Sequence, residues 1–154
     1  MQQSFLAIYL RDHHAAAVAG TRLARRIAHP RGTTSDLLTV AFEIHEDLAA
    51  LEAIMRSLGV ERDRMKDAIA RVGERLGRLK PNGRLRERSP LSDVLELETL
   101  LVGITGKRAL WLSLRASSAA PRDDLDRLVE RAESQLKTVE EARLHAVERA
   151  FGSD

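Results

Sequence analysis

The sequence predicts an all-α protein, a single four-helix bundle in which two antiparallel helical hairpins are joined by one long crossover. Hydrophobic residues make up 44% of the chain and aromatic residues only 3%, with Ala and Leu as the main apolar types. This composition favours packed helices over sheets, which are rich in aromatic and β-branched residues. Apolar residues also recur at helical spacing in four long segments. Since 154 residues is the length of one ordinary domain, we expect residues 1–154 to form one.

The first two predicted helices form one hairpin. The first helix covers about residues 2–28 and ends before Pro30. Thr33 or Thr34 is suited to cap the second helix, and Gly59 is well placed to end it in a left-handed conformation. The short connection predicts that the two helices are antiparallel neighbours. Their predicted apolar seams are Leu6, Tyr9, Ala16, Leu23 and Ile27 in the first helix, and Leu37, Ala41, Ile44, Leu48, Leu51, Met55 and Leu58 in the second.

The last two predicted helices form the other hairpin. Ser89 followed by Pro90 is typical of an N-cap and a first helical position, and the third helix continues to about Ala116. An acid-rich start after Pro121 begins the fourth helix, which ends at Gly152. The predicted seams are Leu91, Val94 or Leu95, Glu98, Leu101, Thr105, Arg108 or Ala109, and Leu112 in the third helix, and Leu125, Val129, Ala132, Leu136, Val139, Ala146 and Ala150 in the fourth.

The second and third helices are separated by a connection of about thirty residues, far longer than the links within each hairpin. Within it, one apolar stripe predicts a short extra helix that lies across the bundle. The stripe is Met65, Ile69, Val72, Leu76 and Leu79. A long second connection of this kind is typical of a bundle with one crossover, and is not expected in a simple up-and-down bundle.

Four sequence segments, together with the order of the helices, resemble small uncharacterised bacterial ferritin-like proteins over nearly the whole chain. The segments are His45-Glu46-Asp47-Leu48, Leu58-Gly59-Val60, Leu79-Lys80-Pro81-Asn82-Gly83-Arg84-Leu85 and Ser89-Pro90-Leu91. The resemblance implies a ferritin-like fold and carries no assigned activity.

Metal-binding members of the wider ferritin-like superfamily place a glutamate on each of two helices and a Glu-x-x-His pair on each of the other two. This sequence departs from that pattern. The second helix has Glu43-x-x-Glu46, with a carboxylate in place of the histidine, and the fourth helix places His145 four residues after Glu141 or three before Glu148. Carboxylate-rich sets nevertheless suit Fe or Mn. The candidate ligands are Asp12, His13, Glu43, Glu46 and Glu98.

Asp12, His13 and Glu98 are candidate ligands because they lie on or beside the predicted seams of the first and third helices. A buried carboxylate needs a partner, since leaving it alone in an apolar core is costly. The alternative to a metal site is therefore a hydrogen-bonded pair of His13 and Glu98, and no cofactor is expected in that case. His14 and His29 are expected to face solvent.

The basic residues are concentrated in the middle of the chain, although the formal net charge is only +2. They form the one candidate surface for nucleic acid. Acidic residues are interleaved with them, and no helix-turn-helix, stacking aromatic residue or phosphate loop accompanies them. We therefore expect a solvated surface. The cations are Arg71, Arg75, Arg78, Lys80, Arg84, Arg86 and Arg88.

Several classes of function are excluded or disfavoured by composition. Because the chain has no cysteine, disulfides, thiolate metal sites and cysteine nucleophiles are excluded. No apolar run is long enough to span a membrane and no leader is recognisable, so we expect a cytoplasmic protein without a membrane partner. Ser89 is explained as a helix cap, and no histidine is placed beside a serine as a nucleophilic pair requires.

The leading hypothesis is a structural or protein-interaction module without catalytic activity. Apolar residues outside the main seams, namely Val40, Ile54 and Val102, favour a homodimer formed through helix faces. Gly103 and Gly106 in the third helix are expected to permit close packing against a neighbouring helix. The alternative hypothesis is a carboxylate-rich protein of the di-iron or di-manganese type that performs redox or metal-handling chemistry.

Overall fold

The structure is a computed structural model that describes residues 2–29, 34–61 and 89–152, with side chains from residue 5 onward. It contains α1 (Gln2–Ala28), α2 (Ser35–Ser57), α3 (Pro90–Ala116) and α4 (Arg122–Phe151). Every regular element within these residues is an α-helix, which confirms the all-α prediction. The predicted extra helix and the whole candidate nucleic-acid surface fall in residues 62–88, outside the described residues.

The start of α3 and the end of α2 follow the predicted sequence signals, whereas Thr34, at the N-cap of α2, makes no side-chain capping hydrogen bond. Ser89 caps α3, and its hydroxyl accepts a hydrogen bond from the backbone nitrogen of Ser92 at 3.3 Å. Gly59 adopts a φ of +66° after α2, and the backbone nitrogen of the next residue, Val60, donates to the carbonyl of Met55. This hydrogen bond pairs a carbonyl group that would otherwise have no partner at the end of the helix. Ser118 ends α3 in the same way with a φ of 52°, although it is not a glycine.

Four helix pairs are in contact: α1 with α2, α3 with α4, α1 with α3, and α2 with α4. Across the described residues, the backbones of the two remaining pairs, α1 with α4 and α2 with α3, do not approach one another, so these pairs form the diagonals of the bundle. Every contacting pair is antiparallel. In each pair, the residue number on one helix rises as that of its partner on the other helix falls. For α1, the contacts are His14–Glu52 and Arg11–Glu61 with α2 and the residues just after it, and Tyr9–Ser113 and Arg26–Glu96 with α3. For α4, they are Gln135–Glu43 and Arg131–Glu46 with α2, and Arg115–Asp126 and Arg143–Glu98 with α3.

The direction of α2 and α3 follows from these contacts. Because α1 is antiparallel to both, α2 and α3 run in the same direction on opposite corners of the bundle. The last residue of α2, Ser57, and the first residue of α3, Pro90, consequently lie at opposite ends of the bundle. This arrangement agrees with two hairpins and excludes a tight antiparallel turn between α2 and α3.

The bundle encloses one apolar core to which all four helices contribute. The seam predicted for α1 is wrong in part, because Ala16 is exposed while Leu10, His14 and Ala24 are buried. Most of the seam predicted for α4 is buried, as are four of the seven seam residues predicted for α2. Burial of this surface is the main favourable term in folding. The buried seam residues are Ala41, Ile44, Leu51 and Met55 in α2, and Leu125, Val129, Ala132, Val139 and Ala146 in α4.

The seam predicted for α3 is wrong in its rotation. The predicted seam passes through Leu91, Glu98 and Thr105, all of which are exposed. The helix carries two apolar stripes at nearly the same spacing, and periodicity alone does not distinguish the inward stripe from the outward one. The stripe with Trp111 and the greater number of large side chains is the one that packs inward. Its buried members are Val94, Leu97, Leu100, Ile104, Leu110, Trp111 and Leu114.

Two further expectations about packing are corrected. Val40 is a core residue with 4% of its surface exposed, whereas Val102 is 74% exposed, so only the latter belongs to an outer face. A methyl group added at Gly103 or Gly106 would meet no atom within 4 Å among the described residues. Packing inside the described bundle therefore does not require either glycine. Across the same residues, no helix has the length and apolar character needed to cross a membrane.

Candidate functional site

The candidate ligands on α1 lie at its outer side. Asp12 is exposed, and the half-buried His13 packs the edge of its ring against Tyr9, with ring centroids 4.5 Å apart. Burial lowers the pKa of His13 below its ordinary value of 6.5, and the neighbouring Asp12 carboxylate partly opposes this shift. The hydroxyl of Tyr9 donates to Ser113 Oγ on α3 at 3.2 Å.

Glu98 is far from His13 and has a different partner. The contact between Arg26 and Glu96 places Glu98 level with about residue 24 of α1, so about 16 Å of helix separates it from His13 along the bundle. The Glu98 side chain is half exposed, and its Oε1 lies 3.7 Å from Nη1 of Arg143 on α4. His13 and Glu98 consequently do not form the pair that the predicted seams suggested.

Glu43 and Glu46 face α4 side by side. Glu43 Oε2 accepts a hydrogen bond from Gln135 Nε2 at 2.9 Å, and Glu46 Oε2 accepts one from Arg131 Nη1 at 2.9 Å. The structure thus brings these two candidate ligands together on one interface and leaves the other three elsewhere. Across residues 2–29, 34–61 and 89–152, no three His, Asp or Glu side chains form a group that is arranged to hold a metal ion.

The most unusual feature of the interior is a group of polar side chains from α2, α3 and α4, which we call the Asp47 cluster. Its members are Glu43, Glu46 and Asp47 on α2, Lys107 on α3, and Arg131 and Gln135 on α4. Asp47 and Gln135 are 2% and 1% exposed, although charged and amide side chains rarely lie this deep without partners.

Asp47 is at the centre of this cluster. Its Oδ2 accepts hydrogen bonds from Lys107 Nζ and, at 3.3 Å, from Gln135 Nε2. Its Oδ1 lies 2.6 Å from Arg131 Nη2 in an ion pair. Gln135 completes the arrangement, because its Oε1 accepts from Lys107 Nζ at 2.5 Å. Two cations and one amide therefore surround a single buried carboxylate.

The charge state of Lys107 depends on this surrounding. Burial lowers its pKa below the ordinary value of 10.5, and the Asp47 carboxylate opposes the shift by its charge and its hydrogen bond. Arg131 lowers the pKa further, while Glu43 raises it. Nearby carboxylates thus favour the charged form of Lys107 at a buried position where charge is otherwise unfavourable.

The Asp47 cluster was missed at the sequence level, although a signal for it exists. Asp47 lies three residues after Ile44 and four before Leu51, and it occupies the seam where Leu48 was expected. Lys107 follows Ile104 by three residues, and Gln135 stands between Ala132 and Val139 on α4. Isolated polar residues at apolar seam positions on three different helices are the pattern that points to a buried network.

A small cleft adjoins the cluster between α2 and α4. It has a volume of about 150 Å³ and is open to solvent on one side. Its lining is mainly polar, and Glu43 and Gln135 belong both to the lining and to the Asp47 cluster. The lining residues are Asp36, Thr39, Val40, Glu43, Ser134, Gln135 and Thr138.

A second buried polar contact joins α1 and α2. His14 was expected to face solvent, but it is 7% exposed and its Nε2 lies 3.1 Å from Glu52 Oε1. His14 lies four residues after Leu10 and seven before Thr21, on the buried side of α1, and Glu52 on α2 provides the partner that a buried polar side chain needs. His29 is exposed, as expected.

Exposed large apolar side chains lie on all four helices, and those on α3 and the adjacent edge of α4 form a surface that we call the α3–α4 patch. The others are Phe5 and Ile8 on α1, and Leu38 and Phe42 on α2. Contacts of Arg143 with Glu98 and of Arg149 with Asp93 place the end of α4 beside the start of α3. The patch consists of Leu91, Leu95 and Val102 on α3, and Leu144 and Phe151 on α4, with exposures of 47%, 37%, 74%, 48% and 61%.

Comparison of the chain with protein-family models, with curated proteins and with solved structures gives no match. Two features of the described residues bear on function: the Asp47 cluster, which is internal, and the α3–α4 patch, which faces outward.

Proposed function

We propose that the chain is a ferritin-like helical bundle that acts as a protein-interaction module and binds a second copy of itself through the α3–α4 patch. The observation that carries this proposal is the second apolar stripe of α3, in which Leu91 and Val102 are exposed while the opposite face of the same helix is buried. Apolar side chains exposed on one face of a helix in this way are typical of association sites. The module acts by binding, without a catalytic step.

The ferritin-like assignment is supported by helix direction. α2 and α3 run in the same direction on opposite corners, so that two antiparallel hairpins follow one another along the chain with one long connection between them. Among four-helix bundles, one long crossover is the arrangement of the ferritin-like folds.

A second copy is the partner that the spacing of the stripe favours. Leu91, Leu95, Glu98, Val102, Thr105 and Ala109 succeed one another at alternating intervals of four and three residues. Side chains at this spacing interlock with a helix that has the same spacing, and α3 of another copy supplies it. A symmetric dimer uses the same surface on both partners.

One glycine of α3, Gly106, supports close approach of the partner. A glycine in a helix interior costs about 1 kcal/mol relative to alanine, and the space around Gly106 is open among the described residues. Gly106 lies one helical turn after Val102, the most exposed residue of the patch, and therefore beside it on the helix surface. A helix of a second copy that packs over this segment would give Gly106 a structural role.

The α3 stripe carries one charged residue. Glu98 lies between Leu95 and Val102, and Arg143 of α4 lies 3.7 Å from it. This neighbour on the same chain reduces the repulsion that two Glu98 side chains would introduce across a symmetric contact.

Sedimentation equilibrium of the full chain tests the proposal. The wild type should show a concentration-dependent dimer, and Val102→Glu should shift it to monomer because a charge is then buried in the contact. Ala53→Glu places the same charge on an exposed position of α2 and serves as the matched control, which should retain the dimer. A wild type that stays monomeric at high concentration, or a Val102→Glu dimer of unchanged affinity, refutes the proposal.

A further inference from the structure

We propose that the two copies associate through antiparallel α3 helices, with Leu95 of each copy seated in a hole on α3 of the other. This pairing rests on the proposed self-association, and it specifies which surface of the second copy the α3–α4 patch binds. The order of large and small side chains along the exposed stripe of α3 determines the direction. The hole is formed by Val102, Thr105, Gly106 and Ala109.

The α3 stripe has the same spacing in both directions. Its six exposed residues follow one another at intervals of four, three, four, three and four positions. Two antiparallel copies that cross level with Leu100 therefore bring every stripe residue opposite another stripe residue. A parallel pair brings each stripe residue opposite its own counterpart, so spacing alone permits both directions. In the antiparallel pair, the facing residues are Leu91 with Ala109, Leu95 with Thr105, and Glu98 with Val102.

Side-chain size favours the antiparallel direction. The first half of the stripe carries the large residues Leu91 and Leu95, and the second half ends with the small residues Thr105 and Ala109. Antiparallel copies place large residues opposite small ones at both ends, so the two helix axes keep one distance throughout the contact. Parallel copies place leucines against leucines at one end and small residues against each other at the other end. The second end would then contain unfilled space, which a well-packed interface lacks.

The hole that accepts Leu95 lies in the second half of the stripe. Its four residues stand at positions i, i+3, i+4 and i+7, which surround a depression on the surface of a helix. Gly106 has no side chain to fill this depression, and a methyl group added there would meet no atom within 4 Å among the described residues. The centre of the hole is level with Leu95 of the second copy in the antiparallel pair. Leu95 has 37% of its surface exposed in a single copy, and this contact would cover it.

The charge of Glu98 favours the same direction. In a parallel pair, Glu98 would face Glu98 of the second copy, and like charges that face one another across an interface are strongly unfavourable. In the antiparallel pair, the two glutamates are four positions apart along the helix axis, or about 6 Å, and each faces Val102. Arg143 of the same chain lies 3.7 Å from Glu98 and supplies a counter-charge. The antiparallel contact therefore separates the two carboxylates.

The exposed apolar residues of α4 extend the contact. Ion pairs between α3 and α4 place Leu144 and Phe151 beside the first half of the α3 stripe. In the antiparallel pair, these large side chains lie level with the second half of the second copy's stripe, where Thr105 and Ala109 leave room. In a parallel pair they would lie level with its leucines. The α3 and α4 parts of the patch thus fit the same orientation.

Disulfide formation between introduced cysteines tests the orientation, because the chain has no cysteine of its own. Leu95→Cys and Thr105→Cys are purified separately, mixed to exchange subunits, and oxidised. A disulfide requires Cα atoms within about 7 Å, which facing positions of two packed helices satisfy. In the antiparallel pair, two copies of the same position lie ten residues apart along the axis, or about 15 Å. The mixture should yield at least about tenfold more covalent dimer than either variant alone, and its intact mass should show one chain of each kind.

A second pair and a control complete the experiment. Leu91→Cys with Ala109→Cys retains Leu95 and should give the same result. Ala53→Cys lies on an exposed position of α2, and its mixture with Leu95→Cys should give no covalent dimer above the background of random collision. Each variant is oxidised at a concentration at which sedimentation equilibrium shows it to be dimeric.

Failure of the antiparallel pairing is distinguishable from failure of self-association. A wild type that stays monomeric in sedimentation equilibrium refutes self-association and the pairing with it. A dimeric wild type whose cysteine variants form covalent dimers alone, and not preferentially in the mixtures, overturns the antiparallel direction. A dimeric wild type with no covalent dimer in either mixture overturns the pairing of α3 helices, because the copies then associate through another surface.

Discussion

The ammonium group of Lys107 on α3 donates a hydrogen bond to the carboxylate of Asp47 on α2, across the diagonal of the bundle. The side chains are 11% and 2% exposed, so the pair is almost completely removed from water. Buried ion pairs contribute little net stability compared with apolar packing, but the loss of one partner is severely destabilising. We therefore interpret the pair as a determinant of which helices meet in the folded bundle.

Asp47→Asn should lower the free energy of unfolding by about 3–5 kcal/mol, because the ammonium of Lys107 loses its closest counter-charge in the interior. Urea denaturation followed by circular dichroism measures the change. Glu46→Gln on the same helix is the control and should cost less than about 1 kcal/mol, because Glu46 is largely exposed. If both variants lose similar amounts of unfolding free energy, Asp47 is no more important to the buried cluster than the exposed Glu46.

Replacing both partners should be far milder than replacing one. Asp47→Leu together with Lys107→Met leaves no buried charge of this pair, and apolar substitutes of similar volume are often neutral or stabilising. We expect the double variant to be more stable than Asp47→Asn by at least about 2 kcal/mol in the same urea experiment. If the double variant is as unstable as Asp47→Asn, the loss of stability comes from the missing polar contacts and not from the unpaired charge of Lys107.

Stability should increase in the alkaline range because of Lys107. Its pKa is lowered in the folded state, so between that lowered pKa and 10.5 the unfolded chain binds a proton that the folded chain does not. The contribution of this residue is fully present above 10.5 and is lost as the pH falls through the lowered pKa. Urea titrations over this range should show a rise in the free energy of unfolding that Lys107→Met lacks. Parallel curves for the two proteins would argue against the effect.

Ser118→Gly should stabilise the protein by up to about 1 kcal/mol. Ser118 holds a φ of 52° at the end of α3, a left-handed conformation that glycine adopts without the steric penalty of a side chain. Thermal denaturation should show a higher midpoint for the variant. Gly59→Ala, at the equivalent position after α2, is the converse experiment and should lower the midpoint.

Gly103→Ala and Gly106→Ala separate stability from association. Each substitution should increase the free energy of unfolding by up to about 1 kcal/mol, because alanine favours the helix and no described atom obstructs the new methyl group. In sedimentation experiments at low concentration, Gly106→Ala should weaken the proposed dimer by holding the second helix further away, whereas Gly103→Ala, which lies off the stripe, is the control. If Gly106→Ala is more stable but dimerises with unchanged affinity, Gly106 does not lie at the dimer interface.

Helix ends were the part of the fold most accessible to prediction. Ser89 before Pro90 and Gly59 after α2 act through contacts within a few residues, so the signals are complete in the local sequence. The core stripe of α4 was equally predictable, because its apolar side is single and its opposite side is strongly charged. The candidate metal ligands are a different case. The distances between these five residues depend on how each helix is rotated and on the level at which the helices meet, and neither is set by the local sequence.

Local sequence was thus sufficient to establish four long helices, their ends and their pairing into two hairpins, since each depends on periodicity, capping and the length of a connection. The packed bundle alone decided that α3 turns Trp111 inward and Val102 outward. It also decided that Asp47, and not Leu48, enters the core, because Lys107 and Arg131 approach from two other helices. A charged side chain is buried only when its partners are in place, and those partners are distant in sequence.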